Sequence, residues 1–266
     1  MIIGIFAHYA ERFRWTHRLY GSVPAGLTCL SKLLALLGWD VTRKPSYQNV
    51  FERSFDKKFG IETATLVLTD ALDVESEMKP LIEYYEPVDA LEFALTLESL
   101  QRSFEGWTFI DVGSGKGRSL LLASLFDFDR VIGLELSASL HEVAEQNLRR
   151  QRREDLMCRD VQSICTDALE YELPTDPLVL FFFNPFKEDL MARMLANIRE
   201  SYLRSPRPII LIYHNPIFRS LMDEAEFLEP HAPGPVGEGW SVFRADATSE
   251  LALESESLEE AAMANC

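Results

Sequence analysis

The sequence predicts an α/β protein built on a largely parallel sheet with helices on both faces, and three observations carry that prediction. Five short apolar runs recur after residue 106: WTFIDV at 107–112, RVIGLEL at 130–136, VQSIC at 161–165, LVLFFF at 178–183 and PIILIY at 208–213. They are continuous rather than alternating and rich in β-branched and aromatic residues, as strands buried on both faces should be. Between them lie helix-like stretches near 117–126, 139–151 and 187–203, and strand, helix, strand in repetition gives a parallel sheet. A polar residue closes or follows each of the first four runs (Asp111, Glu135, Asp167, Asn184), at the sheet edge where such folds hold their ligands.

The other elements follow in chain order. Residues 1–83 read as a partly helical N-terminal cap. Within it, Leu30, Leu33, Leu34 and Leu37 recur at helical spacing and stop at Gly38, which predicts a short amphipathic helix over 28–39. The stretch 40–86, with Tyr47, Phe51, Phe55 and Phe59 and then the acidic DALDVESE, reads as irregular. Residues 84–245 form the sheet domain, opened by a helix that starts at Pro87 and ends near Gly106. A late strand at 240–244 follows the turn-rich HAPGPVGEG. The tail, 246–266, has six acids and no base and is expected to be disordered or a loose helix.

Composition narrows the function classes. The 266 residues carry 26 Lys plus Arg against 42 Asp plus Glu, a net charge of −16, which repels phosphate backbones and argues against generic nucleic-acid binding. The charge is uneven: residues 1–58 hold nine bases and four acids, a net of +5. Cys29, Cys158, Cys165 and Cys266 show no CxxC spacing and read as reduced thiols, so no zinc site is expected. The N-terminus lacks a signal-peptide pattern, and the thirteen uncharged residues between Arg18 and Lys32 are too few to span a bilayer. A cytoplasmic protein without a transmembrane segment is expected.

The chemistry concentrates where the first strand runs into DVGSGKGR at 111–118. Gly113, Gly115 and Gly117 permit a tight turn and close approach of the backbone to a ligand, and the helix that follows offers free N–H groups. A dinucleotide loop, GxGxxG, requires glycine at 118; this chain has Arg118, which disfavours an NAD(P)-dependent oxidoreductase. Glu135 lies twenty residues past Gly115, at a strand tip where a carboxylate can accept both hydroxyls of a ribose. Asp167 can accept from an exocyclic amine. Each residue also has a structural alternative: a turn cap for Asp111, a solvated strand end for Glu135, a helix cap for Asp167 and an Asx-turn before proline for Asn184. Four such groups at successive strand ends favour a binding site over coincidence.

These segments resemble the class I S-adenosylmethionine-dependent methyltransferases. FIDVGSGKGR is similar to their first motif, VIGLELS to their second, CTDA to their adenine-side acid and FFFNPF to the motif after the fourth strand. The resemblance covers roughly 84–218. It extends loosely to FDKKFGIET at 55–63, similar to the lead-in segment of a bacterial subgroup of largely unassigned substrates. Tyr85-Glu86-Pro87 faintly resembles a stretch of the non-SET lysine methyltransferases. The resemblance implies a Rossmann-like seven-stranded sheet whose last strand is antiparallel, S-adenosyl-L-methionine as cofactor and SN2 methyl transfer. It further implies that Asp111, Gly113, Ser114, Gly115 and Gly117 hold the methionine end, with Tyr85 and Glu86 beside them, Glu135 the ribose and Asp167 the adenine.

Asn184 would then face the methyl group, with Pro185 and Phe186 completing a catalytic turn. The Asn-Pro-Phe-Lys of this chain is one proline short of the Asn/Asp-Pro-Pro-Tyr/Phe of amine-directed relatives, so nitrogen on a small molecule or a protein side chain is the expected but not the sole acceptor. A noncatalytic scaffold of the same fold remains the rival reading. Glu188 and Asp189 sit where a helix starts and acids are commonplace, so no metal is expected. His214 is weighed as a general base against a structural role, which is favoured. Lys116 is weighed as a contact to the substrate or the cofactor carboxylate against a solvated loop lysine, which is favoured; RRQRR at 149–153 reads as a helix end, and Phe181, Phe182 and Phe183 as core strand.

Overall fold

The computed structural model describes residues 2–22, 45–151, 156–231 and 239–246. Its helices are α1 (Ile2–Tyr20), α2 (Pro45–Phe59), α3 (Ala90–Ser99), α4 (Arg118–Ala123), α5 (Ala138–Arg150), α6 (Glu188–Arg204) and α7 (Arg219–Asp223). Its strands are β1 (Thr108–Val112), β2 (Arg130–Glu135), β3 (Val161–Cys165), β4 (Leu178–Phe183), β5 (Ile209–His214), β6 (Glu229–Pro230) and β7 (Trp240–Ala245). The amphipathic helix expected over 28–39, the end of the basic run at 152–153 and the tail beyond Asp246 lie outside the described residues.

The seven strands form one sheet in the order β3-β2-β1-β4-β5-β7-β6. β1 through β5 are parallel, and β7 runs antiparallel to both β5 and β6. The chain leaves β1 toward β2 and β3, then returns to place β4 on the other side of β1. The order therefore reverses between β1 and β4, and a crevice opens at their C-terminal ends.

Alternate residues of each strand feed two cores. Phe109, Val131, Val179, Phe181, Ile210 and Val242 face the layer that holds α1, α3 and α4. Ile110, Ile132, Leu180, Phe182, Leu211 and Phe243 face the layer of α6, where Met191, Met194, Ile198 and Tyr202 are buried. Trp15, Leu19, Tyr20 and Phe55 share the first core with β1, so the N-terminal helices are packed onto the sheet. A run of rings ties α3 to the strands: Phe93 meets Phe181 edge-on at 5.1 Å, and Phe181 stacks with Trp240 at 5.9 Å.

Three local departures from the sequence reading have clear causes. Tyr47, Phe51, Phe55 and Phe59 recur every four residues, and the segment is helix α2, with Pro45 at its first position. The helix expected to start at Pro87 instead starts at Ala90, because the Asp89 carboxylate accepts from the Glu92 amide at 2.8 Å and caps it. It ends at Ser99 rather than near Gly106, since Gln101 turns left-handed at φ 50°. The two-residue edge strand β6 is too short to leave a periodic signal.

Candidate functional site

The loop after β1 is hooked to the neighbouring strand. The amides of Gly113 and Ser114 both donate to the Leu134 carbonyl, at 2.9 and 3.0 Å, and the Gly115 amide donates to Glu135 Oε2 at 2.6 Å. Gly115 sits at φ +54°, and a Cβ there would come 2.2 Å from the Tyr85 ring, so only glycine lets that ring lie on the loop. On β2, a Cβ at Gly133 would stand 2.6 Å from Ser114 Oγ. Gly117, the N-terminal cap of α4, is set behind the loop against Ala144 and does not line the cleft.

The cleft holds about 1090 Å³ of empty space, its open mouth included. Tyr85, Glu86, Asp111, Gly113, Ser114, Gly115, Glu135, Asp167, Asn184, Pro185 and Phe186, all drawn from the motifs, line it. Asp111 is 3% exposed and Glu135 7%. Burial, opposed by the Ser119 hydroxyl that donates to it and reinforced by the charge of Glu135, pushes the Asp111 carboxyl up to about 7. Burial also raises Glu135, although the amides of Ser137 and Gly115 donate to it and work the other way. Among the described residues, Glu83, Glu86, Asp111, Glu135 and Asp167 line the cleft against the single base Arg118. Its guanidinium is held by Thr63 Oγ1 at 2.7 Å, the Val88 carbonyl at 3.2 Å and Asp56 at 3.3 Å. Such a site favours a cationic ligand rich in hydrogen-bond donors and repels phosphates. Among the described residues the buried Ser114 Oγ has no hydrogen-bond partner; it lies beside Gly133.

At the β3 end, Asp167 Oδ1 accepts from the Leu169 amide at 2.8 Å, a local turn, while the residue also lines the cleft. At the β4 end, Asn184 is buried at φ +44°, a conformation few side chains adopt unless held there. Its Oδ1 accepts from the Tyr213 hydroxyl at 3.1 Å, and among the described residues its side chain makes no Asx-turn bond. Tyr213 Oη in turn receives the Phe218 amide at 3.5 Å, a long contact that points the hydroxyl proton toward Asn184. Pro185 Cβ lies 2.9 Å from where a Gly113 side chain would begin, and Phe186 is buried.

The segment before the sheet forms a second wall. Asp56 accepts from the Thr63 amide at 2.7 Å, the Thr63 hydroxyl at 2.6 Å and the Ala64 amide at 2.8 Å, in addition to Arg118. Asn147 on α5 receives the Glu62 amide at 2.9 Å and donates to the carbonyls of Glu62 and Lys116, and the Tyr85 hydroxyl donates to the Thr63 carbonyl at 2.8 Å. Lys116 is not the solvated lysine expected from its place in a glycine loop. It is 5% exposed and pairs with Glu62 at 2.6 Å. Asp73, exposed, is held near 2 by hydrogen bonds from the hydroxyls of Ser137 and Ser139. Arg118 and Leu72, which line the cleft, were missed as site residues. Arg118 was legible only as a residue excluding a dinucleotide loop.

His214 does not line the cleft. Its ring stacks on Trp240 at 4.1 Å and meets Phe183 at a tilt at 4.3 Å, and burial pulls its pKa down to about 4, opposed by the Gly239 backbone. A ring that stays neutral and packed is structural, the reading favoured from sequence. Phe182 is core as expected, whereas Phe181 and Phe183 also line the cleft. Among the described residues, no group of three or more His, Cys, Asp or Glu could hold a metal ion, and no helix is long and apolar enough to cross a membrane.

No protein-family model matches the sequence, and no curated protein matches it. Solved structures are similar in part. A SAM dependent methyltransferase from Aquifex aeolicus shares 17% identity at a TM-score of 0.44, over 58% of this chain and 90% of that one. An RNA methyltransferase from Salinibacter ruber, in complex with S-adenosyl-L-homocysteine, shares 18% at 0.41, over 62% and 95%. The 23S rRNA methyltransferase ErmE shares 14% at 0.44, over 65% and 74%. Likenesses of this degree speak to neither activity nor ligand, and the functional reading rests on the cleft itself.

Proposed function

We propose that the chain is an S-adenosylmethionine-dependent methyltransferase acting on a nucleophilic nitrogen of a small molecule or a protein side chain. The observation that carries this is the joining of Asp111, Gly115 and Glu135 in one buried, acidic cleft.

The residues present fit that cofactor. Its ammonium and sulfonium are the cations a pair of buried carboxylates favours, and the lone pairs left on Glu135 suit ribose hydroxyls. The flat Tyr85 ring and the missing Cβ of Gly115 form the cradle for the methionine end. Leu136, Leu140 and Ala168 offer an apolar wall beside Asp167 for a base. A dinucleotide would bring a pyrophosphate against five acids, and Arg118, the one base, is already committed. When bound, the cofactor supplies a methyl group on a sulfonium, already a strong electrophile.

The chain's part is accordingly alignment and dehydration. Asp111 and Glu135 would hold the cofactor. Asn184, its carboxamide oriented by Tyr213, offers hydrogen bonds to the acceptor at the β4 edge. Pro185, Phe183 and Phe186 close the turn and exclude water from it.

Methyl transfer from labelled S-adenosylmethionine into a cell lysate, separated into small-molecule, protein and RNA fractions, tests this reading. Label in the first or second supports it. Label in RNA alone would replace the acceptor, an outcome to include because similar folds bear the name RNA methyltransferase. No label in any fraction, from a protein that binds the cofactor, would favour the noncatalytic scaffold.

A further inference from the structure

One wall of the cleft comes from a segment with little regular structure of its own. Residues 69–81 contain only two three-residue 3-10 turns, Thr69–Ala71 and Lys79–Leu81. Leu72 in this segment is 5% exposed, yet among the described residues it joins neither hydrophobic core and lines the cleft instead. Its apolar side chain thus belongs to the cleft wall rather than to either core. The next residue, Asp73, explains how the segment is held. One carboxylate oxygen accepts from the hydroxyls of Ser137 and Ser139 (2.7 Å for the latter), and the other accepts from the Ser139 amide at 2.9 Å. These serines begin α5 directly after Glu135, and the Ser137 amide donates to Glu135 Oε1 at 2.8 Å. Ser137 thus stands between two carboxylates, gripping Glu135 through its amide and Asp73 through its hydroxyl.

We propose that Leu72 and Asp73 belong to the cofactor site: Asp73 latches residues 69–73 onto the turn after Glu135, and Leu72 so becomes the outer apolar wall over the nucleoside. The inference rests on the cofactor reading above and adds positioning residues that no motif contains. Asp73 touches no ligand itself. It acts through Ser137 on Glu135, and through the backbone on Leu72. Such a latch slows departure of a seated ligand more than it changes encounter, because it forms contacts that must break before exit.

The test uses the full chain and the variants Asp73→Ala and Leu72→Ala, with S-adenosylhomocysteine and adenosine as probes. For S-adenosylhomocysteine in stopped flow, the dissociation rate is expected to rise about tenfold in both variants while association stays within about twofold. Adenosine should lose as much affinity as S-adenosylhomocysteine, since the wall covers the part they share. In the ligand-free protein, Asp73→Ala should speed amide hydrogen exchange at Ser139 and across residues 69–75, whereas Leu72→Ala leaves Ser139 protected. Melting temperature should move little for Asp73→Ala, the residue being exposed. Wild-type dissociation rates from both variants would overturn the proposal, as would unchanged exchange at Ser139. Failure of the wild type to bind either probe would overturn the cofactor reading, and with it the ligand role of Leu72; the exchange data would still decide whether Asp73 is a latch.

Discussion

Glu135 accepts the Gly115 amide at 2.6 Å, so the carboxylate that ends β2 also fixes the loop that leaves β1. Its other oxygen takes the Ser137 amide at 2.8 Å, and one side chain thereby joins the glycine loop, the second strand and the start of α5. The cleft is organised around this side chain.

Glu135→Ala is expected to weaken S-adenosylmethionine binding by about 1.5–3 kcal/mol, the range for charge-assisted hydrogen bonds to buried groups. The Gly115 amide also loses its partner, so part of that loss is disorder in the loop. Calorimetry beside a melting curve checks it: a folded variant that binds as tightly as wild type would make Glu135 a strand end and nothing more.

Asp111 carries a pH signature. Its folded-state pKa, near 7, lies above the ordinary 3.8, so its contribution to stability is fully present below pH 3.8 and lost as pH rises through 7. Asp111→Asn should therefore raise the melting temperature of the ligand-free protein at pH 8 while abolishing most cofactor affinity. A cationic ligand favours the ionised carboxylate, so binding near pH 6 should release part of a proton. The measured enthalpy will then depend on the ionisation enthalpy of the buffer at pH 6, and that dependence should vanish by about pH 8.5. Equal buffer dependence at both pH values would separate Asp111 from the ligand.

Asn184→Ala should lower turnover on the order of a hundredfold with cofactor affinity nearly intact, because an acceptor-aligning group acts mainly in the transition state. Tyr213→Phe should reproduce part of that fall, since it removes only the hydroxyl that orients the amide. If turnover per cofactor-saturated molecule is unchanged in Asn184→Ala, the acceptor is held elsewhere.

Arg118→Met removes one partner of a pair in which the guanidinium is 2% and the Asp56 side chain 15% exposed. Asp56 keeps its Thr63 and Ala64 donors but loses its countercharge, so the fold should be destabilised by about 1–3 kcal/mol, read by denaturant titration. The double variant with Asp56→Asn should recover a share of it. A loss below about 0.5 kcal/mol would show that the clasp to residues 56–64 is incidental.

The sheet was legible because buried parallel strands write continuous apolar runs, as β1, β2, β4 and β5 do; the edge strand β3 lies where VQSIC was read but is half-exposed, not buried on both faces, and β7 lies where WSVFR does. The strand-end residues were legible for the same reason: once the strands are placed, their tips are too. What the sequence concealed was long-range pairing. Lys116 looks solvated in any glycine loop, and only the return of Glu62 across fifty-four positions buries it. Arg118 reads as a missing glycine, yet it is the clasp for Asp56 and Thr63. Asp73 and Leu72 sit in an acidic stretch with no period, and the partners of Asp73 lie more than sixty residues away. Helix α2 was missed although its aromatics recur every four residues, because one ring per turn is a narrow apolar stripe on an otherwise polar segment.

The central claim is that the cleft selects a cationic nucleoside over a phosphorylated one. Titration calorimetry of the full chain at pH 7.5 with S-adenosylmethionine, S-adenosylhomocysteine and NAD tests it most directly. The account predicts micromolar or tighter binding of the first two and none of NAD at millimolar concentration. NAD binding at micromolar concentration, with neither of the others bound, would contradict it.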